Sequence, residues 1–384
     1  MKMTLQQIFG QMRSDLLATD DQPGLIGASA SDAVDLVLAA MLSEKNVLLV
    51  GPPGTAKSML ATSVASWIKD GNSFTLHCCK DTKRTNAFGA ANARKQIEEN
   101  VIERCLVGGA ADAHILVLEE VFKAGPAVLD TMLMLLNERV YNEGMFHAKA
   151  KLITAIAVSN EWSPEGCGDQ INAFWDRLTF RMAVHPISTE ADRRRLVMRR
   201  DHTPVLTTSI TPDEIKQAAG EAALLTFTKD AEEAFFAILA DAARDGIQPG
   251  DRRQYQAFNA CQAFAYLVGD NEVRPEHLEI LIHVLWTDPV EQPDRLRRIV
   301  ARIANPVSMA ISELLREVDE VMATDLTVLA ACELADEKLQ EIYGKLAETP
   351  GDKAADAAKY VNGIITNLHL EASSRRTARH RRHV

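Results

Sequence analysis

Val47-Leu48-Leu49-Val50-Gly51-Pro52-Pro53-Gly54-Thr55-Ala56-Lys57-Ser58 is an apolar run that enters a glycine-bearing turn closed by Lys-Ser, and a helical pattern follows from Met59 to Ile68. Backbone N–H groups of such a turn, with the positive end of the next helix, surround an anion. Residues Gly51, Pro52, Pro53, Gly54, Thr55, Ala56, Lys57, Ser58 and Met59 are therefore the expected phosphate cradle, with Lys57 neutralising outer phosphates and Ser58 offering a hydroxyl to Mg2+. ATP with Mg2+ is the ligand that this pattern predicts. Ala56 stands where a second glycine is usual, so a helical backbone conformation is expected there.

Working outward, short apolar runs at Val47 to Val50, Phe74 to Cys78, Ile115 to Leu118, Leu152 to Val158 and Phe180 to Val184 alternate with helical stretches. Strands separated by helices predict a three-layer α/β domain with a mainly parallel sheet, and ligands bind such sheets at the carboxyl ends of the strands. After Pro186 the strand signal almost disappears. The predicted division is an α/β nucleotide-binding domain over 1–188, an all-helical lid over 189–305, and a helical C-terminal extension with a basic tail over 306–384. Glu348-Thr349-Pro350-Gly351-Asp352 is a breaker within that extension, and Arg375 to Val384 is read as a solvated tail. A helix running to about Val140 is followed by a hairpin turn at Asn142-Glu143-Gly144-Met145, where Gly144 can take a positive φ.

A chain of 384 residues with 47% hydrophobic and 25% charged residues can bury a substantial core. Its net charge of −11 opposes a dominant attraction to nucleic acid or anionic lipid. No apolar run reaches the ~20 residues that span a bilayer, and the N-terminus lacks a signal-peptide pattern, so a cytoplasmic protein is expected. The six cysteines form no CxxC pair and are expected to be reduced and mostly buried.

A phosphate loop alone hydrolyses nothing; a carboxylate must also orient water against the outer phosphate. His114-Ile115-Leu116-Val117-Leu118-Glu119-Glu120 supplies a buried strand that ends in two carboxylates, expected beside Ser58 on a neighbouring strand. Glu119 is assigned to the Mg2+ shell and Glu120 to the attacking water. Glu119 replaces the usual Asp and is one methylene longer, which predicts slower turnover. Asn160 ends a strand adjacent to the acidic one, where its amide can bond the outer phosphate or the water. Arg177 can pair with Asp176 or reach across an interface to a neighbour's phosphate. Arg181 is expected at the polar edge of a strand.

Leu118 to Pro126, followed by Leu129 and Met132 to Arg139, resembles the second acidic motif and next helix of MoxR-type AAA+ ATPases. Ile156 to Glu161 is similar to the family's strand ending in a polar sensor, and Ala173-Phe174-Trp175-Asp176-Arg177-Leu178 to its arginine-finger segment. Gly250-Asp251-Arg252-Arg253 opens a helix much as the family's second sensor does, and Arg252 is the residue assigned to nucleotide. Leu285-Trp286-Thr287-Asp288 resembles the end of the helical lid, which is most like the RavA type. The resemblance covers about Leu25 to Asp288. It implies an ATP-hydrolysing homo-hexameric ring that remodels or assembles a protein partner bearing a von Willebrand factor A domain, in a chaperone-like or cofactor-insertion role. Two readings stand beside it: a nucleotide-controlled assembly module with weak hydrolysis, and a magnesium-chelatase-like motor subunit. A DNA-translocating role is disfavoured by the acidic mean charge and by the lack of a helix-turn-helix or zinc module.

Overall fold

The computed structural model describes residues 3–143, 145–162, 174–322, 329–349, 354–355, 357–366 and 368. Two compact units are present, Met1–Leu296 and Arg297–Val384. In the first, α1 (Leu5–Leu16) and α2 (Ala28–Leu42) precede β1 (Val47–Val50), α3 (Lys57–Trp67) and β2 (Ser73–His77). Then come α4 (Arg84–Phe88), α5 (Ala93–Glu98), β3 (Ile115–Glu119), α6 (Pro126–Glu138), β4 (Val140–Glu143), β5 (Phe146–Lys149), β6 (Thr154–Ser159) and β7 (Phe180–Ala183).

Five strands form one sheet in the order β2-β3-β6-β1-β7, and every pairing is parallel. β1 and β6 are buried along their whole length, as strands covered on both faces must be, so their sequences run apolar without alternation. The register aligns Leu48 with Ala157 and Ala157 with Leu118. These residues share a core with Leu129, Met132 and Leu136 of α6, while α2 and α3 pack on the opposite face. This is a three-layer α/β domain. The sheet also corrects one detail of strand adjacency: β3 and β1 are not neighbours, because β6 lies between them.

α6 begins at Pro126, whose fixed φ suits the first helical position, and stops at Glu138 instead of reaching Val140. Arg139 ends it in the left-handed region at φ 57. Its guanidinium donates to the carbonyls of Leu136 at 2.9 Å, Glu44 at 2.8 Å and Ile153 at 2.9 Å, and to Asn46 Oδ1 at 3.1 Å. Those bonds offset the backbone cost and pin the start of β4. β4 and β5 form the expected hairpin; Gly144 lies outside the described residues, as do Pro350 to Asp352 and the Arg375 to Val384 tail.

Beyond β7 the first unit is helical: α7 (Glu190–Met198), α8 (Pro212–Ala223), α9 (Lys229–Arg244), α10 (Asp251–Val268) and a 3-10 stretch at Pro275–His283. A two-residue parallel ribbon, β8 (Thr226–Phe227) with β9 (Glu272–Val273), sits among them. α10 packs on α2 and α8, so these helices close over the α/β layers. A cluster of indoles adds to this link. Trp162 stacks on Trp175 with centroids 5.7 Å apart, and Trp286 meets both edge-on at 5.4 and 6.0 Å.

Arg181 occupies that cluster and corrects the expectation of a polar strand edge. Although β7 is the last strand, Arg181 aligns with Leu48 and faces the same side of the sheet, where Trp175 and Trp286 cover it. It is only 1% exposed. Its guanidinium lies 4.7 Å from the Trp286 ring centroid and donates to the carbonyls of Trp286 and Val284. Burial pushes its pKa down, the nearby Arg253 adds to that effect, and Asp176 opposes it.

α11 (Gln292–Ala304) contains the boundary between the units. In the second unit, α12 (Pro306–Met322), α13 (Leu329–Glu348) and helical residues 357–366 share a core that includes Val318, Leu339, Leu346 and Val361. Of the five described cysteines, Cys78, Cys261 and Cys332 are buried and Cys79 and Cys105 are exposed; Cys167 lies outside the described residues.

Because Trp286 fills the joint between sheet and helices, Trp286→Ala should cost the first unit about 3–5 kcal/mol of stability. Urea unfolding followed by circular dichroism measures this; a loss below about 1 kcal/mol would show that the indole cluster does not hold the helices down.

Candidate nucleotide site

The carboxyl ends of β1, β3 and β6 bring five polar side chains to one edge of the sheet. β1 runs into the loop at Gly51, whose amide donates to the Ser159 carbonyl at 3.1 Å. A Cβ at Gly51 would sit 2.1 Å from the Val184 carbonyl oxygen, so only glycine lets the chain leaving β7 pass there. Gly54 follows at φ 82.

Ala56 is left-handed, at φ 61 and ψ 15, which corrects the right-handed helical conformation expected for it. An L-residue bears roughly 1–2 kcal/mol for that conformation. The turn demands it because α3 must start at Lys57 with its first N–H groups aimed back at the loop. Among the described residues the amides of Thr55 to Ser58 make no backbone hydrogen bond, as the free start of a helix requires. They stand open where the sequence pattern anticipates an anion cradle.

Lys57 is 6% exposed and folds back onto its own loop, donating to the carbonyls of Gly51 at 2.7 Å and Pro52 at 2.8 Å and to Thr55 Oγ1 at 3.1 Å. Burial lowers its pKa, and the charges of Glu120 and Glu119 oppose that effect. Ser58 Oγ donates to Glu119 Oε2 at 2.9 Å. A hydroxyl and a carboxylate at that separation suit a hard divalent cation such as Mg2+, which takes one or two protein oxygens and fills its octahedron with water and phosphate. Among the described residues no cluster of three or more His, Cys, Asp or Glu could hold a metal by itself.

Glu120 also lies in the left-handed region, at φ 52 and ψ 43. Non-glycine residues in that region concentrate where the backbone must aim a side chain. Here it turns the carboxylate away from the strand line. Glu120 Oε1 accepts from Asn160 Nδ2, and Oε2 pairs with Lys123 Nζ at 3.3 Å. Lys123 was not anticipated; its place three residues after Glu120 is the only signal the sequence carried.

Arg177 and Arg252 are elsewhere. β1 and β7 run parallel with Val47 opposite Phe180, so the residues before them share the amino edge of the sheet. Asn46 Nδ2 donates to the Arg177 carbonyl at 3.0 Å, and Arg252 donates to Asn137 Oδ1 at the end of α6. At ~3.3 Å per extended residue, that edge is about 16 Å from the phosphate loop of the same chain. Neither arginine reaches that loop. Arg177 pairs with Asp176 at 3.2 Å. Arg253, 3% exposed, ties that same Asp176 to the helical region, donating to its carbonyl at 3.1 Å and its carboxylate at 3.3 Å.

A Lys-Ser phosphate loop at the carboxyl end of a central parallel strand, an acidic pair on a second strand, an amide on the strand between them, and helices closing over the sheet together define a P-loop ATPase of the AAA+ class. Residues 24–218 match the family described as the MoxR domain in the MoxR–vWA–beta-propeller ternary systems, and residues 235–300 match an AAA lid domain. The chain belongs to the MoxR family of AAA+ ATPases. It is 30% identical over 261 residues to the uncharacterized protein MJ0812 of Methanocaldococcus jannaschii, covering 68% of each chain. It is 28% identical over 326 residues to MJ0079 of the same organism, covering 82% of each. A solved structure from Cytophaga hutchinsonii, titled as a candidate ATPase, shares the fold with a TM-score of 0.60 at 14% identity over 78% of this chain and 95% of that one.

The left-handed Ala56 predicts an unusual substitution profile. Ala56→Gly should leave stability unchanged or raise it by up to about 1 kcal/mol, because glycine removes the left-handed penalty at an entropic cost of ~0.5–1 kcal/mol. Ala56→Val should destabilise. Thermal melts decide: a clear drop for Ala56→Gly would contradict the conformation.

Proposed function

We propose that the chain is an ATP-hydrolysing motor that works as a homo-hexameric ring and remodels or assembles a protein partner carrying a von Willebrand factor A domain, in the RavA-like branch of the family. The observation that supports this reading best is the convergence of Lys57, Ser58, Glu119, Glu120 and Asn160 on one sheet edge. ATP is the substrate, and bound Mg2+ would supply charge neutralisation between its outer phosphates, held through Ser58 and Glu119. Lys57 would exchange its loop carbonyls for phosphate oxygens, a move that returns a desolvated ammonium to an anionic partner. Glu120 would accept the proton of the attacking water, with Asn160 and Lys123 fixing its carboxylate.

The amino-edge position of Arg177 supports the ring. An arginine so far from its own loop would meet nucleotide only on another subunit, and a head-to-tail contact of that kind gives a ring when its rotation closes. Arg252 falls under the same restriction, so its assigned nucleotide contact is also with a neighbour. The family's description, which names vWA and beta-propeller components, supports a von Willebrand factor A partner. Domains at 1–188, 189–305 and 306–384 would then act as motor, lid and extension. The described residues include no helix long and apolar enough to cross a membrane, which is compatible with cytoplasmic work.

A second reading, in which ATP mainly controls assembly, is favoured by Glu119 alone, since its extra methylene places the carboxylate differently from an aspartate. Steady-state phosphate release separates the two. Glu120→Gln should keep ATP binding, seen as a change in tryptophan emission from the cluster beside Asn160, and lose at least ~100-fold in phosphate release. Lys57→Ala should lose binding. Wild type releasing phosphate no faster than Glu120→Gln would end the motor reading.

A further inference from the structure

α7 (Glu190–Met198) is turned inside out. A helix on the surface of a folded domain directs its apolar stripe to the core and its charged residues to water. Here none of the nine residues is buried, and charged side chains face the body of the protein. Arg195 pairs with Asp20 at 2.9 Å and with Asp192 at 3.5 Å, and Asp192 lies against Gly27. Just past the helix, Arg199 donates to the carbonyls of Thr19, Asp20 and Gln22. Positions 192, 195 and 199 are spaced three and four apart, so they share one face.

Val197 and Met198 fall on the other side and are 77% and 82% exposed, with Leu196 at the margin. So short a helix does not hold itself together in water, and the bonds at its ends keep it in place. Thr189 Oγ1 accepts from the Asp192 amide at 3.2 Å, and His202 Nε2 meets the Leu196 carbonyl at 3.0 Å. The outer face also carries positive charge. Arg193 precedes Val197 by four residues and Arg194 precedes Met198 by four, which sets each exposed arginine one turn from an exposed apolar side chain. Arg194 pairs with Glu190 at 2.8 Å; Arg193 makes no hydrogen bond or ion pair among the described residues. A fixed helix with polar anchors inside and a basic, aliphatic face outside is prepared for a partner, because apolar groups gain nothing from water.

We infer that the outer face of α7 docks an acidic amphipathic helix of another protein, with Val197 and Met198 against its apolar side chains and Arg193 and Arg194 against its carboxylates. Charge complementarity selects that occupant. An extended polyanion or an anionic membrane would also meet the rest of a chain whose net charge is −11, whereas a single helix covers only the basic patch and is screened from charges more than ~10 Å away. The patch has no aromatic residue, unlike helices that lie in a membrane surface. The amino edge of a second copy's sheet matches poorly, because it gathers Lys45, Arg139, Arg177 and Arg252 against Glu44 and Asp176 and is itself cationic. No nucleotide takes part, so the ATPase reading stands or falls separately.

The test uses the full-length chain and two labelled synthetic helices, one with leucines on one face and glutamates on the other, the second with lysines replacing the glutamates. Fluorescence anisotropy should show the acidic helix binding at least about tenfold more tightly than the basic one, with an affinity that falls as salt is added. Val197→Asp with Met198→Asp, and separately Arg193→Gln with Arg194→Gln, should each weaken that binding about tenfold or more. Because these side chains bury nothing against the body, neither pair should move the melting temperature by more than ~2 °C, which separates lost docking from lost folding. A photo-reactive residue introduced at Met198 in cells should join to a peptide of another protein that carries more Asp and Glu than Lys and Arg. Failure of the acidic helix to bind wild type, or equal binding by the variants, overturns the inference. Crosslinks confined to this chain, with weaker self-association of Val197→Asp/Met198→Asp in sedimentation velocity, identify a second copy and overturn it as well. Binding to phosphatidylserine vesicles that depends on Val197 and Met198, without binding of the acidic helix, gives the face to a membrane instead.

Discussion

The parallel alignment of β3, β6 and β1 is the constraint from which the candidate site follows. Ser58 and Glu119 lie within hydrogen-bonding distance although β3 and β1, the strand that leads into the Ser58 loop, do not touch; the spacing is transmitted through β6, hydrogen-bonded to both strands. A one-residue slip in either ladder would turn the alternation over, burying what faces the helices and displacing the carboxylates from the loop. Gly51 secures the loop's place within this arrangement, because no side chain fits against the Val184 carbonyl. The ladder and that close approach set the site's dimensions before any ligand arrives.

Around this frame, aromatic packing joins segments that the backbone leaves far apart. Trp162 lies two residues after Asn160, Trp175 two residues before Arg177, and Trp286 follows the 3-10 stretch of the helical region. Their rings meet over Arg181, whose cation sits against two indole faces and whose donors go to backbone carbonyls. Such a contact combines large apolar burial with a cation–π attraction strengthened by desolvation. Arg253 reinforces it by binding Asp176, the carboxylate that also holds Arg177. The segment after β6, the segment bearing Arg177 and the helices after β7 are therefore parts of one packed assembly.

Much of the fold was legible along the chain. The five sheet strands and the loop between β1 and α3 appear within a residue or two of their predicted places, because buried parallel strands need unbroken apolar runs and phosphate turns need glycine. The carboxylates and Asn160 were legible as strand ends. The left-handed conformations of Ala56 and Glu120 were not, since neither residue type signals a positive φ and the turn geometry imposes it from both sides. Arg181 was misjudged for a related reason: its position on the last strand says nothing about indoles arriving from residues 175 and 286.

By itself the sequence determined the α/β layering and the identity of the groups proposed to face a phosphate, because those depend on residue type and short-range period. Only the tertiary structure decided which of those groups share an edge. It put Lys57, Ser58, Glu119, Glu120 and Asn160 at the carboxyl ends of the strands and Lys45, Arg177 and Arg252 at the amino ends. Polarity along a strand is invisible in composition, and a cation's reach is limited by the length of its side chain, so a separation of one strand length divides one set of charges into two groups.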